Sequence, residues 1–135
     1  MDEDVYAGPH RKRLRLIGFD YTTPGSYFVT IVLENRIDLL AVVVDGGCQL
    51  SEAGRMVEAE WMQLPLRFPG LLLDEHVVMP DHVHGVLTIL PLPDPRPNVS
   101  AVIGAFKSII TVEYGRHVRE HQWPPFHKRL WQRGF

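Results

Sequence analysis

Two histidines separated by a single residue, His82 and His84 in VVMPDHVHGVL (77–87), interrupt an otherwise apolar stretch. Imidazoles bind borderline divalent cations and carry protons near neutral pH, so their spacing is chemically relevant. On a strand, alternate side chains share a face: His82, His84, Val86 and Thr88 point one way, Val83, Gly85, Leu87 and Ile89 the other. The two rings then stand ~6.6 Å apart along the strand at ~3.3 Å per residue, and side-chain rotation can bring their nitrogens onto one cation. The competing reading is a strand rim with two polar residues. Ligand softness favours manganese, zinc or nickel over magnesium without fixing the metal.

The elements around the pair decide whether it can work. Pro80-Asp81 marks a sharp turn. If that turn has two residues, Met79 faces His82 and Val77 faces His84, while His76 falls on the opposite face. The same register puts Glu75 on the histidine face, where it is a candidate third metal ligand. Upstream, SYFVTIVL (26–33) reads as a core strand after the turn pair Pro24-Gly25, and 39–50 as a hairpin around Asp45-Gly46-Gly47. Ser51 is placed to cap a helix with Ala53, Val57, Trp61 and Leu64 on its apolar face, ended by Pro65 and Pro69. The run 71–90 predicts a tight strand pair. Asn98 or Ser100 then caps a second helix with Val102, Ile103, Phe106, Ile109, Ile110 and Tyr114 at helical spacing, and Gly115 weakens its tail. Residues 126–133 alternate as one final strand.

Strand, hairpin, helix, strand pair, helix, strand is the order of a ferredoxin-like, split β-α-β fold of the α+β class: an antiparallel sheet with two helices on one face. A chain of 135 residues, 45% hydrophobic, is sized for one such domain. No apolar run approaches the ~18 residues of a membrane span and the start lacks a signal-peptide pattern, so no membrane partner and a cytoplasmic location are expected. Cys48 is the single cysteine, which excludes an intrachain disulfide or a cysteine zinc cage. The net charge of −2 hides a segregation: −3 over residues 1–9, +3 over 10–36, −6 over 37–100 and +4 over 101–135. Two basic segments flanking an acidic middle suit either a solvated surface or a polyanion. Arg11, Lys12, Arg13 and Arg15 form an expected flexible basic arm (1–13, running on into the domain), and Lys107, off the apolar stripe, is a further candidate for a DNA phosphate.

VVMPDHVHGVL resembles the His-hydrophobic-His (HUH) signature of single-tyrosine transposases, most closely the REP-associated tyrosine transposases. LRLIGFDYTTPGSYFVTIVLENR (14–36), LSEAGRMVEAEW (50–61), LDEHVVMPDHVHGVL (73–87), IGAFKSIIT (103–111) and LWQRGF (130–135) look like that group's blocks, in its order. The resemblance spans about Leu14 to Phe135 and implies a transposase-like HUH domain over 14–135 with a ferredoxin-like palm. It further implies that His82 and His84 hold Mg²⁺ or Mn²⁺ and that the partner is single-stranded or hairpin DNA. The implied reaction, used in DNA transposition and recombination by mobile elements, is strand cleavage and rejoining through a 5′-phosphotyrosine.

In that family the nucleophilic tyrosine and a third metal ligand lie on a helix directly after the block matched by LWQRGF. This sequence ends at Phe135, so the expectation is a palm without its C-terminal catalytic helix, inactive in cleavage. Tyr114 is the candidate substitute nucleophile, with core packing as the competing role; His121 and His127 are candidate substitute ligands or surface residues. A catalytically dead DNA-binding module is the alternative function, and a metal-dependent phosphodiesterase a third. Apolar surface left open on the histidine side could drive self-association into a homodimer.

Overall fold

The computed structural model describes residues 20–135; the predicted basic arm, with Arg11, Lys12, Arg13 and Arg15, lies outside the described residues. Strand β1 (Gly25–Val32) is followed by a short 3-10 turn at Glu34–Arg36 and by a hairpin of β2 (Ala41–Val44) and β3 (Gly47–Leu50). Helix α1 (Glu52–Met62), the single-turn α2 (Leu64–Arg67), β4 (Leu71–Val78), β5 (His82–Ile89) and α3 (Val99–His121) complete the order. β5 is the central strand of an antiparallel sheet ordered β1-β5-β4, and β2-β3 form a separate two-stranded sheet. The chain adopts the ferredoxin-like split β-α-β fold, with its long helices on one face of the sheet.

Local chemistry explains most boundaries. Asp45 and Gly46 take φ of 49° and 79°, the paired left-handed turn that matches strand twist and permits a two-residue hairpin. The Ser51 hydroxyl accepts from the Gly54 N–H at 3.0 Å and donates to the Leu39 carbonyl at 2.8 Å, capping α1 and tying it to the hairpin's entry. Pro65 ends α1 by starting α2, since a proline near a first turn gives up no helical bond. Asn98, rather than Ser100, caps α3 by accepting from the Ala101 N–H. α3 does not weaken at Gly115: it runs six residues further, where Arg116 pairs with Glu113 and Glu120, and stops at Gln122 with φ of 58°.

The predicted final strand shrinks to one bridge, Leu33 to Trp131, framed by Glu34 N–H to Leu130 O and Gln132 N–H to Val32 O, both 2.8 Å. Lys128 at φ 68° and Gly134 at φ 79° break the extended conformation on either side, so the alternation over 126–133 is not carried into a ladder. The bridge still lies beside β1, the edge position a fourth strand takes in this fold.

Along β5 burial alternates strictly. Val83, Leu87 and Ile89 are fully buried and pack with Val29, Ile31, Phe106, Ile110 and Tyr114 under the helices. Gly85 shares that face, and the Trp61 indole lies against it: a β-carbon there would sit 2.3 Å from Trp61 Cζ2. Trp61 in turn meets the Phe106 ring edge-on at 5.4 Å, joining α1 to α3 across the central strand. Gly85→Ala is therefore expected to lower stability by about 1–3 kcal/mol through overpacking, measured by urea denaturation. Gly104→Ala, with open space at its β-carbon inside α3, is expected to raise it by about 1 kcal/mol; equal effects would contradict the close approach.

Candidate functional site

Because Val83 and Gly85 face the helices, His82 and His84 must project from the other side of β5, the open face of the sheet. The turn has two residues, with Met79 N–H donating to His82 O at 2.8 Å, and Val77 stands opposite His84, the predicted register. On the other flank Thr30 stands opposite His84 and Val32 opposite His82. The two Nε2 atoms converge to 3.0 Å with the rings nearly perpendicular at 81°.

Each ring is held from behind at its other nitrogen. His82 Nδ1 lies 2.7 Å from Asp81 Oδ1, and His84 Nδ1 lies 3.0 Å from Thr30 Oγ1. The second oxygen of Asp81 accepts from Arg36 Nε at 3.0 Å. The turn itself is pinned by the Leu33 and Leu40 N–H groups, which donate to Asp81 O and Pro80 O at 2.9 Å. Burial raises the Asp81 carboxyl, but the hydrogen bond from His82 and the nearby Arg36 and His82 charges outweigh it and hold it below the ordinary carboxylate value. An ionised carboxylate only accepts, so His82 carries its proton on Nδ1 and a neutral ring turns its Nε2 lone pair toward His84. His84 then donates from Nε2 and accepts from the Thr30 hydroxyl. Freeing both Nε2 lone pairs requires the His84 proton to move to Nδ1, a change Thr30 can follow because a hydroxyl both donates and accepts.

This arrangement fits a divalent cation. Two imidazole nitrogens ~2.1 Å from one ion would stand ~3.0 Å apart at an octahedral right angle and ~3.4 Å apart at a tetrahedral one, so the hydrogen-bonded pair at 3.0 Å needs little movement to share an ion, and backing partners on the remote nitrogens are what orient metal-binding histidines. Among the described residues, no group of three His, Cys, Asp or Glu converges to hold a metal. Glu75 is on the histidine side, at a bulge between Leu73 and His76, and lines a cleft of about 290 Å³ beside His84 without completing such a group. His76 faces the helices as expected and pairs with Glu58 at 2.9 Å.

The remaining sequence candidates lie elsewhere. Tyr114 is buried under the sheet's helical face, where its hydroxyl donates to Pro124 O at 2.7 Å and burial pushes its pKa up. Both features oppose a role as nucleophile at the histidines, and the core-packing reading holds. The Lys107 amine donates to Gln132 O at 2.8 Å and Gly134 O at 2.6 Å, so it ties α3 to the last residues of the chain. His121 sits at the end of α3 against His117, and His127 is exposed in the following loop. Asp81, Thr30 and Arg36 were not singled out from sequence. Asp81 was readable as the carboxylate next to His82, but Thr30 is 54 residues from its partner and is found only through the β1-β5 register.

The His84 imidazole is held below its ordinary value of 6.5, first by burial and second by the neighbouring His82. Below that pH the unfolded chain takes up the proton first, so this residue's contribution to stability is full above about 6.5 and drains away as pH falls. In ¹H–¹⁵N spectra His84 is expected to titrate below 6.5 and to shift upward in His82→Ala; titration at or above 6.5 in the parent chain would contradict this environment. Tyr114→Phe is expected to cost about 1 kcal/mol in urea denaturation while leaving the His84 titration unchanged; a moved titration would place the two sites in contact.

Comparison with known proteins agrees with this architecture. No protein-family model matches the chain. An uncharacterized protein of Haemophilus influenzae is 36% identical over 81 residues, which span 60% of this chain and 45% of that protein. The structure of a REP-associated tyrosine transposase bound to a REP hairpin superposes with a TM-score of 0.58 at 21% identity, over 93% of this chain and 59% of that one. The chain thus spans about half the length of these proteins, and what it shares with the transposase over 93% of its length is the fold.

Proposed function

We propose that this chain is a transposase-like DNA-binding domain of the single-tyrosine, His-hydrophobic-His type, which takes hairpin or single-stranded DNA on the open face of its sheet. The observation that carries the proposal is the convergence of His82 and His84 Nε2 at 3.0 Å with both Nδ1 atoms backed. It occurs on the central strand of a fold shared with a transposase solved with a REP hairpin.

His82 and His84 would hold Mg²⁺ or Mn²⁺, which when bound supplies Lewis-acid polarisation of a phosphate oxygen. The protein's own contribution is orientation. Asp81 keeps the His82 proton on Nδ1, the Thr30 hydroxyl accepts a hydrogen bond from the His84 Nδ1–H when Nε2 is vacated, and Arg36 holds Asp81 in place. In the implied reaction a tyrosine hydroxyl attacks phosphorus, a 5′-phosphotyrosine bond forms, and the departing 3′-oxygen takes a proton. Tyr21 and Tyr27 pack against the core and Tyr114 lies within it, so the described residues bring no tyrosine to the histidine face. What they supply is the DNA- and cation-binding part of that chemistry, and DNA binding without cleavage is the activity proposed for the described residues.

The test incubates the purified chain with Mn²⁺ and a labelled hairpin carrying a single-stranded flank, read on native and denaturing gels. A native shift without a denaturation-resistant adduct is expected, weakening about tenfold or more from 50 to 200 mM salt as phosphate contacts are screened. His82→Ala with His84→Ala should abolish Mn²⁺ binding seen by electron paramagnetic resonance. An absent shift would sink the binding reading, and a covalent adduct would sink the claim of binding alone.

A further inference from the structure

Beside the histidines the sheet carries an aromatic ring that nothing in the fold requires. Phe28 is on β1, across from Val86 and two residues before Thr30, and it points to the open face with 70% of its surface exposed. Its ring is stacked on His84, with centroids 5.6 Å apart and planes 20° from parallel. A phenylalanine exposed on a strand forfeits most of the burial that normally stabilises it, so its contact with the fold here is the His84 ring alone among the ring pairs it makes.

From this geometry we infer that Phe28 is the stacking platform for one unpaired nucleobase of the DNA strand whose phosphate reaches His82 and His84. This rests on the proposed function and adds to it a base subsite. Three observations converge. One ring face is occupied by His84 while most of the side chain remains open to solvent, and base-on-aromatic stacking needs such a flat free surface. The ring borders the cleft beside His84, whose apolar walls include Val77 and Val86, so a base on Phe28 is within one nucleotide of the histidine pair. Finally, the exposed Glu75 carboxylate on the same cleft can accept from an exocyclic amine, which cytosine, adenine and guanine have and thymine lacks.

A second copy of the chain is a poorer occupant. Phe28, Leu72 and Val77 are the exposed large apolar side chains among the described residues of this face, and they are interspersed with Ser26, Thr88, Asp74 and the histidines. Three partly exposed side chains fall far short of the ~800 Å² that each partner of a stable interface contributes.

The experiment compares the full chain with Phe28→Leu and Phe28→Trp on two labelled hairpins, one blunt and one with a short adenine flank carrying 2-aminopurine. The parent chain is expected to bind the flanked hairpin about tenfold more tightly than the blunt one and to quench the 2-aminopurine. Phe28→Leu should lose both effects while keeping blunt-hairpin and Mn²⁺ binding, and Phe28→Trp should retain them. A flank advantage unchanged in Phe28→Leu would overturn the subsite alone. Loss of a dimer in Phe28→Leu by light scattering, with the flank advantage unchanged, would assign the ring to a second copy and overturn it as well. A parent chain that binds neither hairpin would overturn the subsite together with the functional reading beneath it.

Discussion

Trp61 lies so close to the backbone of Gly85 that no side chain fits between them, and this contact decides which way the central strand faces. With period two along β5, burying Val83, Gly85, Leu87 and Ile89 commits His82, His84, Val86 and Thr88 to the opposite side. A slip of one residue would turn the histidines into the core and drive valine and leucine into solvent. The same indole reaches Phe106 on α3, so the packing that fixes the strand also joins both long helices to it. The orientation of the polar pair is thus set from the apolar side of the sheet.

Orientation of the rings within that face comes from a line of polar contacts running Arg36, Asp81, His82, His84, Thr30. Its value is geometric more than energetic. The Arg36 side chain is 60% exposed, and ion pairs of that kind contribute at most about 1 kcal/mol. Removing Asp81, however, would leave His82 free to choose its tautomer and rotate, and removing Thr30 would do the same for His84. The cost of holding two imidazoles at 3.0 Å, including a depressed His84 pKa, is offset by the packing beneath them.

The sequence carried the alternation, the caps and the turns because each is a local signal: Ser51, Asn98, Asp45-Gly46 and the two-residue Pro80-Asp81 turn act within a few residues of their partners. The His82 and His84 pair was legible for the same reason. What was not legible depends on distant strands coming together. Thr30 meets His84 only through the β1-β5 register, and Phe28 acquires its stacking partner by the same route. The last strand failed as a prediction because alternation cannot report the left-handed backbone at Lys128. Propensity alone makes Gly115 a weak point, whereas Arg116 bridging Glu113 and Glu120 stabilises the helix around it.

Charge along the chain is a coarser guide than charge in space. The segment 101–135 carries six basic residues, which suggested a surface for a polyanion. In the folded chain Lys107 is spent on carbonyls of the last residues, Arg116 on two glutamates and Arg129 faces Glu34 at 3.6 Å. Lys128 and Arg133 are exposed on a cleft between α3 and the C-terminal segment, and that segment hydrogen-bonds to Val32, the residue across the ladder from His82. Several of these cations are therefore engaged within the fold, while Arg119, Lys128 and Arg133 are exposed, the last two beside the C-terminal segment that runs along β1. On the proposed function, phosphate binding by this region would therefore rest on a few exposed cations and supply sequence-independent affinity, with selection between paired and unpaired DNA left to the open face.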